Sequence, residues 1–143
     1  MLGLPIRSVI EPGRLVVAAP QASVREAALL MQKHQVGAVL VVEGDRLAGI
    51  FTERDAVYRV MAAGRDPATT RLAEVMTPEP KTVSPDETFG YALLLMHEHG
   101  FRHAPVVENG RPVGVVSARH ALDPDLEEFA AEAERRKGIR RFA

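Results

Sequence analysis

Thr52 and Asp55 lie three residues apart, where the sequence changes from a strand pattern to a helix pattern. The N-terminus of a helix offers unpaired N–H groups and a partial positive charge, so a phosphate can bind there with the Thr52 hydroxyl as a further donor. The Asp55 carboxylate can accept hydrogen bonds from two adjacent hydroxyls of a ribose. The same pair satisfies the S/T-x-x-D/E capping pattern, which requires no ligand. Both interpretations, a nucleotide contact and a helix cap, remain open.

The string GIFTERD, which ends at Asp55, returns as GVVSARH, which ends at His120. Ser117 keeps the hydroxyl of the first string. His120 replaces its carboxylate, so at most one bond from a neutral imidazole takes the place of a charge-assisted pair. We therefore expect the second site to be weaker, altered or empty.

These strings belong to a duplication. A shift of 65 residues superimposes Pro20–Ala56 on the later sequence without a gap, and about one position in three is identical. Each copy predicts a short strand (LVVAAP, KTVSP), a capped helix, two strands joined by a turn (EGD, ENG) and a final helix. A unit of about 60 residues is only marginally stable alone, so we expect the copies to pack together with pseudo-twofold symmetry around a cleft. The sequence predicts a mixed α/β (α+β) fold.

The duplicated segments resemble a tandem pair of CBS domains, the regulatory unit also called a Bateman module. VGAVLVVEGDRLAGIFTERD and FRHAPVVENGRPVGVVSARH carry the resemblance, and each follows a similar helix end, LMQKH or LMHEH. The resemblance extends from about Ile6 to Leu122. We expect a first repeat at residues 6–64, a linker at 65–71, a second repeat at 72–122, and a C-terminal helix with a basic tail at 123–143.

The resemblance implies an adenine nucleotide as regulatory ligand, AMP first, with ATP or ADP in competition, and no catalytic cofactor. In such pairs the hydroxyl residue meets phosphate and the Asp meets ribose, which implies those roles for Thr52 and Asp55. The base would lie along the first strand and the hairpin, at Val36, Gly37, Ala38 and Ile50. A homodimer formed through helix faces is implied as well, together with a change of shape that is transmitted to an unidentified effector protein.

Two arginines accompany the second string. Arg102 stands just before HAPV, where members of the family often have a basic phosphate contact, and Arg119 lies beside the helix start. Each either contacts a phosphate that lies between the two clefts or is solvated.

Composition narrows the other functions. A net charge of −1, with 18 basic and 19 acidic residues, gives no support for sustained binding to nucleic acid or to an anionic membrane. The chain has no cysteine, which excludes disulfides and thiolate chemistry. The N-terminal segment lacks the pattern of a signal peptide, and the longest apolar run, VGAVLVV, has the length of a strand. We expect a cytoplasmic protein without a membrane span.

Catalysis has little support in the sequence. We find no nucleophile with an adjacent base and no P-loop, and the spacing of His97, His99 and His103 does not suit a metal site. We therefore predict that the chain is not an enzyme and holds no metal. The main alternative to nucleotide sensing is a structural module in which the motif serves only as a helix cap.

Overall fold

A computed structural model of the protein describes residues 1–11, 15–121, 132–133 and 135–136. The helices are α1 (Ile6–Val9), α2 (Val24–His34), α3 (Glu53–Asp55), α4 (Leu72–Val75) and α5 (Phe89–His99). The strands are β1 (Val17–Ala18), β2 (Ala38–Glu43), β3 (Arg46–Thr52), β4 (Thr77–Pro78), β5 (His103–Glu108) and β6 (Arg111–Ser117). Most of the C-terminal helix expected at 123–143 lies outside the described residues. In the described part of the chain, no helix is both long enough and apolar enough to cross a bilayer.

Helix α3 continues without interruption into a π-helix at Ala56–Met61, and we call the two together the motif helix. After β6, a 3₁₀-helix at Ala118–Ala121 occupies the equivalent place in the second repeat. A helix therefore follows the last strand of each repeat, as the sequence predicts, and the two differ in kind.

The duplication is present in space as well as in sequence. The bounds of α5, β5 and β6 lie 65 residues after those of α2, β2 and β3. Both hairpins are antiparallel, and each carries a register shift at the same place, Val41/Val42 in the first and Val106/Val107 in the second. This arrangement confirms the predicted mixed α and β fold of two similar repeats.

Local signals in the sequence account for the helix starts and the turns. Ser23 Oγ accepts a hydrogen bond from Glu26 N–H at 3.1 Å, and Thr88 Oγ1 accepts one from Tyr91 N–H at 3.2 Å, so each caps its helix. In the first hairpin the turn places Gly44 at φ 60°. In the second it places Asn109 at φ 53° and Gly110 at φ 77°. These are the residue types that adopt positive φ most readily.

Two short strands differ from expectation. KTVSP does not form a strand: Val83 makes an isolated parallel bridge to Val106. Thr77–Pro78, which the pattern does not predict, pairs with β3 as β4. Prolines surround both segments, and proline cannot donate to a strand ladder, so pairing stays short in each.

The two repeats exchange their first helices. Ile6 of α1 lies in the core of the second repeat, with Phe89 and Val106, whereas Leu72 and Val75 of α4 lie in the core of the first. Backbone bonds fix both exchanges, Ile6 N–H to Glu87 C=O at 2.8 Å among them. Each half is thus completed by a segment from the other part of the chain, and the cleft between them draws residues from both.

Candidate functional site

Two openings lie at the seam between the repeats. The larger, which we call the larger cleft, has a volume of about 890 Å³ and contains the start of the motif helix. The other, which we call the smaller cavity, has a volume of about 130 Å³ and contains the start of the 3₁₀-helix. Pockets for small molecules usually measure about 300 to 1,000 Å³. The larger cleft falls within that range, and the smaller cavity falls below it.

Thr52 and Asp55 form a complete capping box in the larger cleft. Asp55 N–H donates to Thr52 Oγ1 at 3.3 Å, and Thr52 N–H donates to Asp55 Oδ2 at 2.9 Å. The Thr52 hydroxyl also donates to Asp55 Oδ2 at 3.1 Å. Glu53 N–H donates to Gly37 C=O at 3.1 Å, which ties the start of the helix to the residue that precedes β2. These contacts are the ones that the helix-cap interpretation predicts for Thr52 and Asp55.

The two carboxylate oxygens of Asp55 have different surroundings. Oδ2 already accepts two hydrogen bonds from Thr52, which is its full capacity. Oδ1 faces Arg59 Nε at 3.5 Å, and the Asp55 side chain is 10% exposed. Oδ1 is thus the atom that can still accept a hydrogen bond from a ligand hydroxyl.

Positive charge predominates in the larger cleft. Among the described residues, five basic side chains line it, and they come from both repeats: Arg54, Arg59, Lys81, Arg102 and Arg119. Three acidic side chains from the same part of the chain line it as well: Glu53, Asp55 and Glu79. The described lining of the smaller cavity includes one of each sign, Glu11 and Arg119. A phosphate is therefore better accommodated in the larger cleft.

In the second repeat, an imidazole takes the place of the Asp55 carboxylate as the cap. Ser117 N–H lies 2.9 Å from His120 Nδ1, and Ser117 C=O lies 3.1 Å from the same atom, so Nδ1 either accepts from the first or donates to the second according to its tautomer. Ser117 Oγ accepts from Arg119 N–H at 3.1 Å. This local structure ends the strand as the capping box does, but offers no anionic acceptor to a sugar.

The structure separates some residues that we expected in one cleft. Ile50, Thr52, Asp55 and Arg102 line the larger cleft together. Val36 and Ala38, which we expected beside Thr52, line the smaller cavity instead, and His120 lines that cavity as part of the second site. Both openings are lined by Gly37, Ser117 and Arg119. The start of the first hairpin strand in each repeat thus faces the motif of the other repeat. The roles of these residues toward a ligand remain predictions.

Gly49 lies against the backbone of a neighbouring strand. A missing side chain at this position could admit a flat base, but a Cβ built there would lie 2.8 Å from Thr77 C=O. The backbone of β4 therefore occupies the space beside Gly49. Gly114 is equivalent in the second repeat, and a Cβ there would lie 2.8 Å from Ile10 Cδ1. Both glycines allow a crossing segment to pack closely on a strand.

His103 lies at the centre of the seam and lines both openings. A Cβ at Gly37 would lie 3.0 Å from His103 Nε2 and 2.9 Å from Glu53 Oε1, so both side chains lie close to the backbone of residue 37. Burial lowers the pKa of His103 below its usual value. The Glu53 carboxylate opposes this shift, whereas the positive charges of Arg119 and Arg102 add to it.

Sequence reasoning missed part of the wall of the larger cleft. Thr77, Glu79, Pro80 and Lys81 line it from the segment that follows α4, and Arg59 lines it from the motif helix. Arg59 stands four residues after Asp55, a spacing that pairs side chains on a helix, so the sequence could have indicated that Arg59 lies beside Asp55. No sequence pattern indicated the segment 77–81, because it reaches the cleft only through the exchange of α4 between the repeats.

The family of the chain follows from this fold and its paired openings. The sequence model of the CBS domain matches residues 6–62 and 72–127, which is most of the chain. The protein belongs to the CBS domain family, with two copies of the domain.

Several known proteins are similar to this chain. It is 38% identical over 104 residues to CBS domain-containing protein YhcV of Bacillus subtilis, an alignment that covers 73% of this chain and 74% of YhcV. It is 36% identical over 152 residues to Meiotically up-regulated gene 70 protein of Schizosaccharomyces pombe, covering 91% of this chain but only 21% of that much longer protein.

One similar protein has been solved with a nucleotide. It is CBS domain protein PAE2072 from Pyrobaculum aerophilum, complexed with AMP. The two share 27% sequence identity and superimpose with a TM-score of 0.74, covering 82% of this chain and 89% of that one. The CBS pair is therefore a ligand-binding architecture in a protein of closely similar fold.

Proposed function

We propose that this chain is a regulatory module whose larger cleft binds an adenine nucleotide, with AMP as the preferred ligand and ATP and ADP as competitors. The observation that carries the proposal is the composition of that cleft. It combines a helix start bearing Thr52 and Asp55 with basic side chains from both repeats, in a volume suited to a small molecule. The AMP complex of the similar Pyrobaculum protein supports the same ligand class.

The contacts suggest how such a ligand would be held. A ribose hydroxyl would donate to Asp55 Oδ1, while Oδ2 keeps its hydrogen bond from Thr52 N–H. The Thr52 hydroxyl would rotate from Asp55 toward the phosphate, which exchanges one charge-assisted hydrogen bond for another. Ile50 would contact the base, and Arg102, Arg119 and Lys81 would supply positive charge for one or more phosphates.

Signalling would follow from the position of the cleft between the repeats. A ligand that contacts both halves stabilises the conformation in which their separation suits it, and the population shifts by no more than the difference in affinity. The conformational signal would then pass to an effector protein. We propose regulation and not catalysis, since the Thr52 hydroxyl, whose neighbouring base is Asp55, is engaged in the helix cap, where it also accepts from Asp55 N–H.

We also propose that the module forms a homodimer through helix faces. Three apolar side chains of the motif helix are exposed: Val57 by 48%, Tyr58 by 63% and Met61 by 73%. Met61→Glu should lower the mass measured by light scattering after gel filtration from that of a dimer toward that of a monomer. Val113→Glu places the same charge at an exposed apolar position of β6 and serves as the control. Equal masses for both variants and the parent protein would contradict the proposed face.

A second candidate is a structural module without a physiological nucleotide. One specific observation favours it: the Thr52–Asp55 capping box is complete from protein atoms alone. In that case the motif would serve the fold, and the helix faces would carry the function.

Thermal unfolding in the presence of AMP, ADP, ATP, S-adenosylmethionine and NAD separates the two candidates. A ligand that binds the native state stabilises it by about 2.7 kcal/mol at a concentration 100 times its Kd. We expect AMP to raise Tm most, and ADP and ATP to raise it less. A Tm that stays constant with every compound would favour the structural module. Hydrolysis of any of these compounds in a separate activity assay would instead favour an enzyme.

A further inference from the structure

Arg59 joins the two walls of the larger cleft. Its Nη1 donates to Met76 C=O at 3.0 Å and to Val75 C=O at 3.3 Å. Its Nε lies 3.5 Å from Asp55 Oδ1. One wall is the motif helix, to which Asp55 and Arg59 belong, and the other begins at Thr77, directly after the two carbonyls. One guanidinium therefore contacts both walls.

The carbonyls that Arg59 binds need a donor. Val75 is the last residue of α4, and Met76 is its C-cap, so neither carbonyl has a partner within that helix. A guanidinium presents several N–H donors in a rigid plane, and here one nitrogen serves both carbonyls while another faces the carboxylate. These contacts fix the direction of the side chain even though about half of it is exposed.

The motif helix departs from α-geometry where it carries Arg59. Ala62 N–H donates to Val57 C=O at 2.8 Å and Arg65 N–H donates to Val60 C=O at 2.9 Å, both five residues back, as in a π-helix. Such segments are rare and are frequent at functional sites. The wide turn begins immediately after Asp55.

In the sequence of the second repeat, other residue types stand at both positions of this arrangement. The shift of 65 residues places His120 opposite Asp55 and Pro124 opposite Arg59. Proline has no side-chain donor, so the substitution removes the cation together with the anion. The pairing of a carboxylate with a wall-spanning arginine is a property of the larger cleft.

We propose that Arg59 is a positioning residue of the larger cleft: it ties the motif helix to the Val75–Thr77 segment and thereby sets the separation of the walls that hold the nucleotide. This inference rests on the proposed function, because it assigns Arg59 to that same site. Arg59 acts through its two carbonyl partners and through Asp55, whereas a residue that only attracts phosphate would act through its charge.

Arg54 provides a matched control. It has the same charge and lines the same cleft, but its guanidinium lies over the Tyr58 ring, 5.2 Å from the ring centroid. Arg54→Met and Arg59→Met thus each remove one positive charge from the larger cleft. The second also removes the contact with the Val75 and Met76 carbonyls.

Hydrogen exchange tests the wall contact without any ligand. Met76 N–H bonds to Leu72 C=O, and Glu79 N–H bonds to Ala48 C=O, so both amides report on the segment that Arg59 holds. In Arg59→Met these amides should exchange about tenfold faster than in the parent protein and in Arg54→Met. Exchange of the α5 amides serves as the control for intact folding. Unchanged exchange at Met76 and Glu79 in a folded Arg59→Met protein would overturn the proposal.

Calorimetric titration with AMP and with adenosine tests the effect on binding. A change in wall separation should weaken both ligands by about the same factor, on the order of tenfold, or about 1.4 kcal/mol. If only the affinity for AMP falls and that for adenosine does not, Arg59 contacts the phosphate directly, and the positioning role is overturned. If the parent protein binds neither compound, the proposed function fails, and the exchange result alone decides the role of Arg59.

Discussion

Substitution of Asp55 separates the two roles of this residue, because its two oxygens have different partners. Asp55→Ala removes both hydrogen bonds that Oδ2 accepts from Thr52, at 2.9 and 3.1 Å, from a nearly buried position. Loss of two hydrogen bonds of this kind costs about 1 to 2 kcal/mol. For a domain of this size that corresponds to a fall in Tm of about 3 to 8 °C.

Asp55→Asn should keep most of this stability. The amide oxygen can take the place of Oδ2, where two donors from Thr52 meet it, and the NH₂ group then takes the place of Oδ1, beside the Arg59 guanidinium. The reverse orientation would satisfy fewer donors. The variant therefore retains the cap and loses the acceptor that we assign to a ribose hydroxyl.

Nucleotide affinity should respond differently from stability. A hydrogen bond to a charged group contributes about 1.5 to 3 kcal/mol, so Asp55→Asn and Asp55→Ala should each weaken AMP by roughly 10-fold to 150-fold. Urea unfolding and calorimetric titration measure the two effects on the same samples. An AMP affinity unchanged in Asp55→Asn would refute the ribose assignment, and equal destabilisation by both variants would refute our account of the cap.

Two further predictions concern packing and pH. Gly49→Ala should destabilise the protein by about 1 to 3 kcal/mol in urea unfolding, because its methyl group would meet the Thr77 carbonyl. Gly114→Ala should cost less stability, since its methyl group would meet Ile10 Cδ1, the end of a flexible side chain. Equal losses of stability in the two variants would contradict this explanation. The pKa of His103 is lower in the folded chain than in the unfolded chain, where it is about 6.5. At a pH between these two pKa values the unfolded chain binds more protons than the folded chain, so stability falls as the pH decreases through that range. His103→Gln should therefore lose less stability than the parent protein when urea unfolding at pH 5 is compared with pH 7.5, and parallel losses would show that His103 does not contribute.

The repeat, its long helices and its hairpins could be predicted because their determinants are local. Ser23 and Thr88 begin their helices by contacts within three residues, and turn residues such as Gly44 adopt positive φ. Such signals are written in short strings and need no knowledge of the rest of the chain. The family resemblance rests on the same strings.

The parts that could not be predicted depend on how the repeats pack. β4 exists because the exchange of α4 brings Thr77 beside Gly49, and its two residues carry no pattern of their own. Val36 and Ala38 line the smaller cavity because each repeat presents its first hairpin strand to the motif of the other. The sequence identifies these residues as candidates, but the packing of the repeats decides which of them share a cleft.

A crystal structure of the protein grown with saturating AMP would test the central claim most directly. Our account places the nucleotide in the larger cleft, with a ribose hydroxyl within hydrogen-bonding distance of Asp55 Oδ1 and the phosphate near Thr52. Density for AMP at another surface, or a larger cleft occupied by protein side chains at that concentration, would contradict it.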